Sequence, residues 1–339
     1  MKKTGVFWVF TFILIASIHF ASSVTLRQVV EGGMSNDPDI LNAITDYQQA
    51  QDDHQMQLLS VDTRIDEINA EITLLNAEKS YRLSLLKFYQ TMANLYYGTI
   101  VESFDLETAK IDLRIAELDF NEKINLYQKG LIVREDVEEA SLTLKQEKLD
   151  LEEEILNLKE DLKELGWRTE IALDPATSSF KPSSYPSPEE LVLSTDTYLE
   201  KDVEVKVCEL SVDKAQLELD SLDGASDYEI KRAERELSKA RRILEKTRNN
   251  VLREYREKVF GLEKAYKSMD IAKKAWDVQR ARFEVAKTRY EKGLISEREY
   301  LMAKKQLLSR ICSYFQAEKS YVLALVDLLI SMGNYEPLK

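Results

Sequence analysis

Proline is confined to three short parts of this 339-residue chain, and no other sequence feature constrains the fold as strongly. Two stretches, 39–174 and 189–336, contain no proline at all. Because proline removes a backbone donor and clashes with the preceding helical turn, proline-free runs of this length indicate long helices. Four of the six prolines lie between Asp174 and Pro188, among serines, and predict an extended linker. The chain is therefore predicted to be all-α, in two helical halves.

The two halves repeat one pattern. The segment Tyr127-Gln-Lys-Gly-Leu-Ile132 matches Tyr290-Glu-Lys-Gly-Leu-Ile295 at an offset of 163 residues. The apolar stripe of the next helix keeps this offset, and only Glu318 breaks it. Its members are Leu144, Leu151, Ile155, Leu158, Leu162 and Leu165, matched by Leu307, Tyr314, Glu318, Tyr321, Leu325 and Leu328. A shared heptad phase over about 30 residues indicates an internal duplication of a coiled-coil hairpin.

The same offset places the helices of each repeat. In the first repeat we predict a short helix over about 37–59, a long helix over about 64–128 and a medium helix over about 134–166. The turn at Ser60–Thr63 corresponds to Asp223–Ser226 in the second half. The long helix spans roughly 97 Å at 1.5 Å per residue, and the two shorter helices end to end nearly cover it. Each repeat is therefore predicted to be a long rod, two helices thick.

The first residues have the layout of a secretory signal peptide. Lys2 and Lys3 precede an apolar run, and Ala21-Ser22-Ser23 offers small residues for cleavage. The run is shorter than the roughly 20 residues that span a bilayer, so a cleaved, exported chain is predicted. The predicted division is a signal peptide over 1–23, a first hairpin repeat over 24–173, a Pro/Ser-rich linker over 174–188 and a second hairpin repeat over 189–334.

The charge of the chain argues against a nucleic-acid partner. Removal of the signal peptide takes away two lysines and no acid, so the net charge moves from −13 to −15. An acidic surface of this size repels phosphate backbones. Lysines and arginines do cluster between Lys231 and Lys258, but glutamates are interleaved among them. Mixed signs at helical spacing are typical of a solvated helix face.

Residue usage also argues against a metal site, a cofactor or an enzyme. His54 is the only histidine after signal removal, which leaves no His-based metal cluster and no Ser-His-Asp triad. Carboxylates such as Glu152-Glu153-Glu154 lie in continuous helical patterns, where no pocket is expected to shift their pKa for acid–base catalysis. Cys208 and Cys312 are open to two interpretations, a disulfide in an oxidising compartment or two small buried apolar residues.

The helices carry more apolar surface than one partner needs. Beside the first stripe of the medium helix, a second line runs through Leu142, Leu149 and Leu156. A helix with two apolar seams has neighbours on both sides, as in a bundle or a closed helical barrel. Since one chain offers only two rods, the remaining seams predict contacts with other copies.

A duplicated helical hairpin with Tyr-x-x-Gly-Leu and a downstream alanine at each turn resembles the TolC family of outer-membrane efflux proteins. The resemblance rests on Tyr127–Ala140 and Tyr290–Ala303, and the lead-in Val24–Val30 also resembles the family. It implies a homotrimer whose hairpins form a hollow α-barrel in the periplasm, associated with the outer membrane. Family members insert two β-strands per repeat between the short and the long helix. This chain has only turns there, so it is identified as TolC-like without the strands of the membrane barrel.

The resemblance also implies partners and a site. In the family, the hairpin tips meet a periplasmic adaptor protein that works with an inner-membrane pump. Carried over by position, the tip residues here are Tyr127, Gly130, Leu131, Ile132, Tyr290, Gly293, Leu294 and Ile295. Glycine permits the positive φ of a tight turn, and exposed leucine and isoleucine would give a partner an apolar contact. Alternatively, the leucines and isoleucines fold back and cap their own hairpins.

Charged residues beside the tips leave two interpretations open. Arg134, Asp136, Glu297 and Arg298 could form charged rings that gate a channel, or they could belong to ordinary polar turns.

The sequence therefore predicts a TolC-like component of a cell-envelope efflux or export conduit, which docks a periplasmic adaptor through its hairpin tips. The alternative is a structural coiled-coil spacer or scaffold of the periplasm without a transport lumen. An adaptor, which also has a helical hairpin, is disfavoured because its Gly-rich β-domains have no counterpart in a chain with ten glycines.

Overall fold

The computed structural model describes residues 24–171 and 185–338. Over these residues the secondary structure is helical, without a β-strand. The α-helices are α1 (Leu26–Asn36), α2 (Pro38–Leu58), α3 (Arg64–Gln128), α4 (Arg134–Thr169), α5 (Thr195–Lys201), α6 (Val203–Asp220), α7 (Asp227–Glu291) and α8 (Glu297–Ser331). The predicted signal peptide and residues 174–184 of the predicted linker lie outside the described residues. The domain boundaries stay a prediction.

The predicted tandem repeat of long helices is confirmed. Helices α3 and α7 each contain 65 residues, and the starts of α3 and α4 reappear 163 residues later as those of α7 and α8. Polar caps fix the start of both long helices. The Thr63 hydroxyl accepts a hydrogen bond from the Asp66 amide at 3.2 Å, and Ser226 forms a reciprocal capping box with Glu229.

Two short helices, α1 and α5, are absent from the sequence-based prediction. Helix α1 begins at a capping box of Thr25 and Gln28 and buries Leu26, Val29 and Val30 against α3 and α4. Its eleven residues include two adjacent glycines, Gly32 and Gly33, which weaken any helical periodicity. Tertiary contacts therefore stabilise this helix.

The helices form one layer, with α3 in its interior. On one side α3 packs against α2 and α4, and on the other side against α6 and α8, which in turn pack against α7. In the tip half the order across the layer is α4, α3, α8 and α7, and in the other half it is α2, α3, α6 and α7. All neighbours run antiparallel, so both hairpin tips lie at the same end. Helices α2 and α4 form one outer edge, and α7 forms the other.

The core is rich in aromatic residues and lies where the short helices of each repeat meet. Tyr97 packs against Tyr96 with ring centroids 5.0 Å apart, and Phe315 stacks on Phe104 at 6.0 Å. A second cluster surrounds Tyr321, which is fully buried. Stacked and edge-to-face rings add to the stabilisation from apolar burial.

Glu318, the predicted break in the second stripe, lies inside this core with 1 % of its surface exposed. The helical phase keeps the position facing inward, whatever side chain occupies it. Burial raises the pKa of Tyr96 and Tyr314 well above the ordinary range, and the negative charge of Glu318 raises it further.

The prediction that the whole first stripe is buried is wrong for one of its members. Ile155 is 48 % exposed, whereas Leu158, Leu162 and Leu165 are buried as predicted. The step of four residues from Leu151 carries Ile155 past the buried face, and Glu154 is partly buried instead.

The cysteines are both free and partly buried, so the structure does not contain the disulfide considered above. Burial raises the pKa of Cys312 to about 11. Across the described ranges, no helix is both long and apolar enough to cross a bilayer.

We predict opposite effects for two glycine substitutions. A Cβ at residue 32 would lie 2.6 Å from the backbone carbonyl oxygen of Thr169, so Gly32→Ala should displace α1 and destabilise the protein by about 1–3 kcal/mol. Gly261 in α7 has nothing within 4 Å of such an atom, so Gly261→Ala should stabilise by up to about 1 kcal/mol. Thermal unfolding followed by circular dichroism would test both, and equal melting temperatures would contradict the prediction.

Candidate functional site: the hairpin tips

The two tips share one turn geometry. Gly130 has φ of 70° and Gly293 has φ of 68°, the left-handed region that glycine adopts without strain. The Gly130 amide donates to the Tyr127 carbonyl at 2.8 Å, and the Leu131 amide donates to the Leu126 carbonyl at 3.0 Å. The second turn has the same two bonds. This is a Schellman motif, which satisfies the last carbonyls of α3 and α7 and reverses the chain.

The turns hold one leucine each in solvent. Leu131 is 67 % exposed and Leu294 is 69 % exposed, whereas Ile132 and Ile295 are half-buried. The alternative in which both apolar residues fold back is therefore wrong for the leucines. The isoleucines are partly covered, and the leucines present apolar surface at each tip.

The tyrosines before the turns lie at the sides of the hairpins. Tyr290 stacks on Tyr300 of α8 with ring centroids 4.8 Å apart, which couples the end of α7 to the first turn of α8. Tyr127 is 46 % exposed and adds apolar area to the first tip. The second tip is stiffened by its aromatic pair, and residue 137, the equivalent of Tyr300 in the first repeat, is a valine.

The two tips differ most in how the following helix begins. Ser296 forms a capping box with Glu299: the Glu299 amide donates to the Ser296 hydroxyl at 3.2 Å, and the Ser296 amide donates to the carboxylate at 2.8 Å. Hydrogen bonds from the backbone amide and the hydroxyl of Ser296 hold the pKa of Glu299 below its usual range. At the first tip this position is Val133, which has no side-chain acceptor and is 59 % exposed. The first tip is therefore the more apolar and the less well capped.

The four charged residues beside the tips have partners within the chain. Arg134 pairs with Glu138 at 2.7 Å, and the carboxylate of Asp136 accepts from the Val133 amide at 3.3 Å. Glu297 accepts two bonds from the Arg114 guanidinium, at 2.8 and 3.2 Å. These contacts fit a polar turn region.

Ion pairs between α3 and α8 hold the tips side by side. Besides Arg114 and Glu297, Arg298 pairs with Asp119 at 3.1 Å. Further from the tip, Lys305 donates to both carboxylate oxygens of Asp112 at 2.7 and 2.6 Å. The Arg114 guanidinium holds the pKa of the Glu297 carboxyl below its usual range. Such half-exposed pairs stabilise the fold only modestly, but they fix the register between the repeats.

The leucines of both tips lie on the surface of the chain. The cavity lined by Tyr47 and Tyr81 is an open surface groove between α2 and α3. Among the described residues, no group of His, Cys, Asp and Glu is arranged to hold a metal ion.

Comparison with known proteins supports the sequence resemblance. The model of the outer membrane efflux protein family matches residues 214–334, from within α6 to just past the end of α8. No curated protein matches the chain.

Three solved structures share the fold. CusC, from a study of its folding and transmembrane channel formation, has a TM-score of 0.57 and 10 % identity, and the match covers 92 % of this chain and 92 % of CusC. The outer membrane protein VceC of Vibrio cholerae has a TM-score of 0.54 and 14 % identity, and the match covers 91 % of this chain and 96 % of VceC. The open-state MtrE outer membrane channel of Neisseria gonorrhoeae has a TM-score of 0.52 and 11 % identity, and the match covers 91 % of this chain and 88 % of MtrE. At these identities the likeness shows the fold. The family match and the shared fold support the resemblance to the TolC family, and the described residues contain no strand, as predicted.

The caps predict opposite effects of two exchanges between the tips. Val133→Ser should provide the missing acceptor at the start of α4 and stabilise it by about 1 kcal/mol, whereas Ser296→Val should destabilise α8 by a similar amount. Thermal unfolding reports the overall effect. Amide exchange in the first turn of each helix reports the local one, and should slow at Asp136 and quicken at Glu299. Unchanged exchange at both amides would contradict the role assigned to the caps.

Proposed function

We propose that this chain is a TolC-like component of a cell-envelope efflux or export conduit, exported to the periplasm and associated with the outer membrane. The observation that carries the proposal is the pair of exposed leucines, Leu131 and Leu294, at two near-identical turns at one end of the layer. Rigid turns that hold apolar side chains in solvent are suited to bind a partner. The partner is a periplasmic adaptor protein, which links the conduit to an inner-membrane pump.

The architecture supports a conduit because the chain forms an open layer with two free edges. One edge is formed by α2 and α4 and the other by α7, and further copies would cover their outward faces. Copies added edge to edge close into a ring around a lumen, and we propose a homotrimer. Transport through such a tube is passive for this chain, which guides the solute that the pump delivers.

If the tips bind a partner through their leucines, one charged substitution at a tip should weaken that contact. Leu131→Asp and Leu294→Asp should each reduce chemical cross-linking to envelope proteins, because a carboxylate cannot enter an apolar contact without losing its hydration. Leu83→Asp is the matched control, since Leu83 is 59 % exposed in the half of α3 away from the tip. If tip variants and control cross-link as well as the original chain, the tip is not the docking surface.

The proposed homotrimer has a defined particle mass in solution. Light scattering of the signal-free protein should give three chains per particle. A stable monomer or a parallel dimer would contradict the conduit and favour a coiled-coil spacer or scaffold of the periplasm.

A further inference from the structure

A cavity of about 480 Å³ lies in the half of the layer away from the tips. Helices α1, α2 and α3 border it together with the segment that follows α8, residues 332–338. We call this segment the α8 tail and the cavity the α1–tail cavity. Its volume falls within the range of about 300–1,000 Å³ that is usual for the binding sites of small ligands.

The walls of the α1–tail cavity are mostly apolar and aromatic. Three tyrosines border it, Tyr81 and Tyr89 from α3 and Tyr335 from the α8 tail, together with Met34 and Ile44. Tyr89 is 3 % exposed and belongs to the core, so the core closes the cavity on that side. A cavity with a closed floor suits a bound ligand better than a solute in passage.

Four contacts hold Tyr335 in place. Its hydroxyl donates to the Glu78 carboxylate at 2.6 Å, and its carbonyl oxygen accepts from the Tyr89 hydroxyl at 3.4 Å. Its ring meets the Tyr81 ring edge to face with centroids 5.5 Å apart, and the Arg82 guanidinium lies 5.7 Å from its own centroid. The aromatic wall is therefore formed before a ligand binds, which reduces the entropy lost on binding.

The charges around the cavity are negative on balance. The Arg27 guanidinium and the Glu31 carboxylate pair at 2.8 Å, so their charges largely cancel. Glu336 adds one more carboxylate to the rim, and no second basic side chain of the described residues lines the cavity. Burial raises the pKa of Tyr81 and Tyr89, and the negative charge of Glu336 raises both further. This carboxylate therefore acts on the rings that border the cavity.

The groove beside the cavity is acidic as well. It runs between α2 and α3, shares Tyr81 with the cavity, and is lined by Asp39 and Asp46. Tyr47 stacks on Tyr81 there, with ring centroids 5.0 Å apart. Within the described ranges, no lysine or arginine lines this groove. Electron-rich rings with carboxylates nearby attract a cation and repel an anion.

We propose that the α1–tail cavity binds an organic cation with apolar substituents, of the size of an aromatic quaternary ammonium ion. The apolar groups contact Met34 and Ile44, and the positive charge lies against Tyr81 and Tyr335 on the side of Glu336. Aromatic rings are the usual means by which proteins recognise quaternary ammonium groups. Each chain binds this ligand by itself, so the site goes beyond the proposed function and depends neither on the tips nor on the number of copies.

Calorimetric titration of the signal-free protein tests the class of ligand. The probe is benzyltrimethylammonium, and we expect saturable binding with a dissociation constant on the order of 1 mM or below for a probe of this size. Two comparison probes carry a tetrahedral head on the same benzyl group: phenylmethanesulfonate, an anion, and benzyl methyl sulfone, which is neutral. At about 0.15 M salt, the anion should bind about tenfold more weakly than the cation and the sulfone about threefold more weakly.

Four variants test the residues that carry the proposal. Glu336→Gln should weaken binding of the cation about threefold and leave binding of the sulfone unchanged. Tyr81→Leu keeps an apolar wall without the ring, so the preference for the cation over the sulfone should disappear. Ile44→Trp fills the cavity and should abolish binding of both probes. Glu152→Gln is the matched control, since it makes the same change in net charge at an exposed position of α4 and should not alter binding.

Four results would overturn the proposal. The first is the absence of saturable binding of the cation, and the second is binding of the anion or the sulfone as tight as that of the cation. The third is an equal loss of affinity in Glu336→Gln and Glu152→Gln, which would mean that the cation responds only to net charge. The fourth is unchanged affinity in Tyr81→Leu and Ile44→Trp at an unchanged melting temperature.

The docking role and the cavity can fail separately. Leu131→Asp changes a tip and should bind the cation as the original chain does. Loss of cross-linking in that variant with unchanged binding of the cation supports both assignments. Unchanged cross-linking with unchanged binding refutes the docking role and leaves the cavity site standing.

Discussion

The packing of α3 against α8 joins the two repeats, and the tips, the edges and the core all depend on it. Helix α3 is the only one of the two long helices with neighbours on both sides. Its apolar side chains bury the core, and its acidic and basic side chains pair with Glu297, Arg298 and Lys305 of α8. Burial supplies most of the free energy of this contact, and the ion pairs fix its register.

The contact between α3 and α8 places these two helices in the interior of the layer and leaves α4 and α7 at its edges. Because both repeats are antiparallel hairpins, joining them through one helix of each leaves α4 and α7 with one apolar face uncovered. These faces carry exposed apolar side chains, among them Leu142 and Leu149 of α4 and Val278 and Val285 of α7. The duplication thus produces two unlike edges from two similar hairpins, and unlike edges suit a ring better than a two-fold dimer.

The two tips have diverged while keeping their turns. Glycine at positive φ and the Schellman bonds are the same in both, and they reverse the chain between the two helices of each hairpin. Around the turns, the second tip has the serine cap and the stacked Tyr290 and Tyr300, whereas the first has the exposed Val133. A partner that contacts both tips meets a rigid, polar-flanked leucine at one and a broader apolar surface at the other.

The sequence by itself determined the long helices and the duplication, because their signals are local. Proline-free runs, polar caps and glycines at the turns act on neighbouring residues, and the ends predicted for α2 and α3 agree with the structure to within one residue. The same local signals located the candidate site at the tips.

Only the tertiary structure decided which apolar residues face another helix. The burial of Glu318, the exposure of Ile155 and the docking of α1 through Gly32 all depend on side chains distant in sequence. The exposure of Leu131 and Leu294 was equally open, since the same turn permits a leucine to fold back or to face solvent. An apolar stripe shows that a helix needs neighbours, and only the packing of the whole chain determines which of its apolar faces are covered.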